Sequence, residues 1–62
     1  MKRGDLLRHL RFYGCFLKRE GGSHSLWINP NTGRVEAVPR HLEIPDNLAK
    51  KICRCLSIPD PK

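Results

Sequence analysis

Gly21-Gly22-Ser23-His24 is the stretch of this chain whose residue types can do chemistry. Histidine titrates near neutrality, so it can take or give a proton at physiological pH. The serine adds a hydroxyl beside it. The two glycines leave the neighbouring backbone amides bare. Amides so placed can cradle a phosphate as a small anion nest. RNA carries its own nucleophile, the 2′-hydroxyl. A base for that proton, with cations for the phosphate, suffices for cleavage without a metal. A lone histidine more often caps a turn, so the setting of His24 decides how much weight it carries.

That setting is cationic. Twelve Lys and Arg oppose six Asp and Glu, a net charge of +6 on 62 residues. Such an excess fits a polyanionic partner, nucleic acid first of all. Lys18 and Arg19 stand just ahead of the glycines. Strand alternation predicts that one of them shares a face with the site and reaches a phosphate. Lys50, Lys51 and Arg54 form a basic stripe with no acid between them, suited to tracking a nucleic-acid backbone. The plainer reading of that stripe is a solvated helix face. His41 is a candidate helper in proton transfer, set against a simpler role in stabilising its loop. His9 belongs to a polar helix face and is expected to be solvent-exposed.

The elements that position these groups follow from periodicity. Residues 5–13 read as a helix with Leu6, Leu7, Leu10 and Tyr13 on one arc and Gly14 ending it. Phe12 falls on the polar side. Cys15–Arg19, Ser25–Ile28 and Arg34–Val38 read as three strands. Gly21-Gly22 and the cluster Asn29-Pro30-Asn31-Thr32-Gly33 supply the turns. A second helix runs from about Asp46 to Leu56, with Pro45 and Asp46 at its start. Apolar groups flank Trp27 on both sides in sequence, so the face that Trp27 takes stays open. The order α-β-β-β-α predicts an α+β fold, a two-layer sandwich. An antiparallel three-stranded sheet carries both helices on one face. That is the layout of double-stranded-RNA-binding domains.

Length limits the rest. A chain of this size is one domain, 1–62, that buries only about 60% of its unfolded surface and has no room for a cofactor domain. Residues 59–62 are expected to fray. No apolar stretch is long enough to span a membrane, and no hydrophobic signal region follows the charged start. A soluble cytoplasmic protein is expected. Three cysteines is an odd number, and no histidine or second pair near Cys53 and Cys55 completes a zinc site. The expectation is reduced structural thiols, no metal and no cofactor.

The run from Gly14 to His24 resembles the HicA family of toxins, the small mRNA-cleaving halves of toxin–antitoxin pairs. Gly14, Arg19, Gly22, Ser23 and His24 match the family pattern in register. Val38-Pro39-Arg40-His41 is similar to the family's Val-Pro-x-His, and Ile44 through Leu56 to its closing helix. Cys15 stands where the family usually has Trp or Phe, and Phe16 and Trp27 are the aromatics near enough to supply that bulk. Asn47 replaces a common glycine. The resemblance implies a double-stranded-RNA-binding-like fold and ribonuclease activity against mRNA. It implies catalysis by His24, and a HicB-like antitoxin that covers the site. A non-catalytic RNA-binding module of the same fold, or a small basic protein docking on an acidic partner, are the alternatives that the residues leave open.

Overall fold

Leu6, Leu7 and Leu10 recur at helical spacing and are buried along one side of α1, Arg3–Phe12. The structure, a computed structural model, describes residues 1–61. Three strands follow: β1 (Phe16–Glu20), β2 (His24–Asn29) and β3 (Arg34–Pro39). Helix α2, Asp46–Cys55, closes the chain and buries Ala49, Ile52 and Cys53. The sheet is antiparallel with order β1-β2-β3, so β2 is central. The Cα trace is only 16 Å thick in its shortest dimension, room for one helix layer on one sheet.

The faces of β2 are distinct. Ser25, Trp27 and Asn29 are buried, while His24 is exposed and Leu26 and Ile28 are half-buried. The first set therefore faces the helices and the second set lines the open side. Trp27 joins Leu6, Leu10, Val38, Ile44, Ile52 and Leu56 in the core and is 3% exposed. The Arg11 guanidinium lies 5.3 Å from the centre of its ring, a cation–π contact. The Nε1–H of Trp27 is buried with no acceptor among the described residues. Cys15 is also in this core, and Trp27 supplies aromatic bulk there. Phe16 does not, because it lies on the open side.

Both helices end in the same way. After α1 the Gly14 amide bonds to the Arg11 carbonyl and the Cys15 amide to the Leu10 carbonyl. This is a Schellman motif, with Gly14 at φ 86° in the left-handed position that favours glycine. After α2 the Ser57 and Ile58 amides bond to the Arg54 and Cys53 carbonyls. There the left-handed residue is Ser57, at φ 60°. Asn29 ties the sheet to this end: its Nδ2 donates to the Leu56 carbonyl at 2.7 Å.

Two expectations are corrected. Helix α1 starts at Arg3 and ends at Phe12, so Tyr13 leaves the apolar arc and stacks beside His9 and Phe12 at the surface. Strand β1 does not alternate simply. Its pairing shifts between Leu17 and Arg19, which leaves Lys18 as the extra residue of a β-bulge. The terminal stretch is held at two points. Pro59 accepts a hydrogen bond from His9 Nε2 at 2.8 Å, and Asp60 accepts from Nε and Nη2 of Arg54. Lys62 lies outside the described residues.

Two outcomes follow for the helix ends and the thiols. Ser57→Gly should raise stability by roughly 0.5–1 kcal/mol, because an L side chain in the left-handed region costs more than the unfolded entropy of glycine. A lower melting temperature for this variant would contradict the Schellman geometry. Burial pushes the Cys53 thiol up to about 11 and also raises Cys15. A thiol reagent at neutral pH should therefore modify Cys55 in the native protein, and Cys15 and Cys53 only on unfolding. Rapid labelling of all three would contradict that core.

Candidate active site

The hairpin between β1 and β2 carries Gly21, Gly22 and Ser23 at its tip and delivers His24 as the first residue of β2. The Gly21 amide donates to the His24 carbonyl at 2.8 Å. A Cβ on Gly21 would lie 2.7 Å from that same oxygen, so the close approach requires glycine. Around Gly22 nothing lies within 4 Å of a Cβ position. Neither glycine takes a positive φ. The left-handed residue of an anion nest is therefore absent, and the turn offers instead the Gly22 and Ser23 amides, which donate no hydrogen bond among the described residues. Ser23 Oγ lies 3.1 Å from His24 Nδ1, which leaves Nε2 as the ring nitrogen to meet a substrate.

A polar network fixes this tip to the rest of the fold. Arg3, in the first turn of α1, donates from Nε to the Pro39 carbonyl at 2.9 Å and from Nη2 to Ser25 Oγ at 3.0 Å. Ser25 Oγ donates in turn to Glu20 Oε1 at 2.5 Å. Arg40 Nη2 bonds to the same Glu20 oxygen at 3.0 Å and to the Gly21 carbonyl at 2.6 Å. Glu20, Ser25, Pro39 and Arg40 thus close the end of the sheet where His24 stands. The hydrogen bond from Ser25, then Arg40 and Arg3, hold the Glu20 carboxyl below its ordinary value. Arg3, Glu20, Ser25 and Arg40 were not among the residues singled out from sequence. The signal available was a Glu and an Arg at the C-terminal ends of β1 and β3, which an antiparallel β1-β2-β3 sheet brings to the same end of β2.

The sequence-derived site residues divide into two groups. Arg19 pairs with Leu26 across β1, which places it on the open face with His24. Lys18 is beside it at the bulge, and neither makes an ion pair among the described residues. His41 is exposed in the connection after β3, two residues beyond the Pro39 that pairs with His24. No hydrogen bond joins it to His24. Lys50, Lys51 and Arg54 are elsewhere, on the outer side of the helix layer. Lys51 pairs with Glu36 at 3.5 Å and Arg54 with Asp60 at 2.9 Å. Together with Arg34 they line a shallow depression. They form no continuous surface with the hairpin, because α2 packs on the opposite face of the sheet. Among the described residues, no three His, Cys, Asp or Glu side chains group to hold a metal ion.

The Glu20 network gives a pH signature. A carboxyl held below its ordinary value of about 4.3 contributes stability that is whole above that pH and is lost as the pH falls through the lowered folded value. Thermal melts of the wild type should lose stability in that acid window, and Glu20→Gln should remove this part of the pH dependence. Parallel acid curves for the two proteins would contradict the network.

The comparisons with known proteins agree with the resemblance read from the motifs. No curated protein and no solved structure matches the chain. No helix is long and apolar enough to cross a membrane. One family model, described as HicA toxin of bacterial toxin-antitoxin, matches residues 3–58 of the 62. The match takes in both helices, the sheet, the hairpin with His24 and the Arg3–Ser25–Glu20–Arg40 network, so this chain belongs to the HicA toxin family, and a cognate antitoxin is its implied partner.

Proposed function

We propose that this toxin is a metal-independent endoribonuclease that cuts mRNA in the cytoplasm with His24 as its proton-transfer group, and that a HicB-like antitoxin neutralises it. The observation that carries the reading is His24 itself. It is exposed at the start of the central strand, oriented through Nδ1 by Ser23, beside two free amides and the unpaired Arg19.

The chemistry follows from the tautomer. For Nε2 to accept a proton, Nδ1 must carry its hydrogen and donate it to Ser23 Oγ. Nε2 then takes the proton of a ribose 2′-hydroxyl. The freed oxygen attacks the adjacent phosphorus, the bond to the 5′-oxygen breaks, and that oxygen leaves with a proton. The products are a 2′,3′-cyclic phosphate and a 5′-hydroxyl. Arg19 and Lys18 balance the charge that builds on the phosphate, aided by the Gly22 and Ser23 amides. His41 is the candidate donor to the leaving oxygen, since it lies at the same end of the sheet. Lys50, Lys51 and Arg54 serve only as a distant electrostatic contact for the RNA, because they sit on the other layer.

The test is cleavage of a labelled RNA in EDTA. The wild type should cut, and His24→Ala should be slower by roughly 10²- to 10⁴-fold, the usual worth of a general base. A single 2′-deoxy substitution at the cut should stop the reaction. RNA left intact by the wild type, or cut equally by His24→Ala, would remove His24 from catalysis.

A further inference from the structure

The open side of the sheet carries more than His24. Register places Leu26 and Ile28 outward in line with it along β2. Across β1, Arg19 faces Leu26 and Phe16 faces Ile28. Across β3, Ala37 and Val35 complete the two rows. Leu26, Ile28 and Ala37 are half-buried among their neighbours, while Phe16 is 52% exposed and, among the described residues, is the one Phe, Tyr or Trp ring on this face.

Charge on this side has one sign. All six Asp and Glu side chains are held in ion pairs, and none belongs to an outward position of the sheet's open face. Arg19 and Lys18 line its edge without such a partner. Exposed aliphatic surface also suits a protein segment. The cationic edge, the single bare ring and continuity with His24 favour single-stranded RNA, whose bases stack on aromatic side chains of open sheets.

We propose that this face is a stacking platform for single-stranded RNA, and that Phe16 holds the base two nucleotides from the phosphate at His24. The inference rests on the ribonuclease reading for its anchor at His24. Two residues of strand advance about 7 Å, a step close to the repeat of an extended polynucleotide. From His24 to Ile28, with Phe16 beside it, there are two such steps. The nucleotide between them passes over Leu26, with Arg19 placed for its phosphate.

The experiment uses short single-stranded RNAs, some with one abasic nucleotide, and measures their binding to the full chain carrying His24→Ala. Phe16→Ala should weaken binding roughly 5- to 150-fold. Phe16→Tyr and Phe16→Trp should retain it, and Phe16→Leu should not. Phe12→Ala, which removes a ring 81% exposed on the helix side, should change little. Removing the base two positions from the cut should weaken binding by a similar factor, and the two losses should not add. Additive losses, or a Phe16→Leu protein that binds as well as the parent, overturn the platform and assign the face to an apolar protein segment. The two readings fail separately. Cleavage by wild type with an unchanged kcat/KM in Phe16→Ala sinks the platform alone. Phe16-dependent binding without cleavage by the wild type sinks the ribonuclease alone.

Discussion

Everything in this fold depends on which way the central strand faces. Side chains of β2 alternate, and each inward residue grips a different part of the chain. Ser25 receives Arg3 from the start of α1. Trp27 fills the middle of the core under the Arg11 guanidinium. Asn29 holds the carbonyl of Leu56 at the end of α2. A slip of one residue would reverse all three and turn His24 into the core. The cost would include a buried imidazole, an exposed indole and an orphaned helix end. The same alternation that assembles the molecule therefore delivers the outward row of His24, Leu26 and Ile28.

Charge is divided along the same boundary. The acids lie on the helix side, at the sheet ends and in the connections, each against a cation. Their ion pairs are exposed and individually weak. Their placement matters more than their strength. It neutralises Arg40, Lys51 and Arg54 where they stand and leaves the outward face of the sheet without negative charge. A net charge of +6 therefore says less about RNA than its distribution does. The basic stripe on α2, prominent in sequence, is largely compensated. The less prominent Arg19 is not.

The legible parts of the sequence were those set by local periodicity. Helix α2 has clean segregation of Ala49, Ile52 and Cys53 from Lys50, Lys51 and Arg54, and it forms where that pattern says. The order of strands follows from dense turn signals. Trp27 was ambiguous because β2 is apolar on both faces, and only the helices decide which face is covered. The bulge at Lys18 was not legible, because it breaks alternation without any mark in composition. Tyr13 was misread because the Schellman turn at Gly14 ends the helix before it. Ser23 and His24 were legible as neighbours. The network behind them was not, since its contacts join Arg3 to Ser25 and Pro39, and Arg40 to Glu20, across 20 to 36 residues.

The two glycines of the hairpin separate folding from function. Gly21 is demanded by the fold, since any side chain there would collide with the His24 carbonyl. Gly22 is not demanded in this way. Its φ is ordinary and the space where a Cβ would sit is empty. A residue with a side chain would fit that backbone and would lose less conformational entropy on folding. Yet Gly22 is the glycine that falls in register with the family's Gly-Ser-His. Glycine there keeps the space beside its own amide and that of Ser23 free of any side chain. Under the proposed function, the empty space beside His24 is the room for a phosphate at the mouth of the strand.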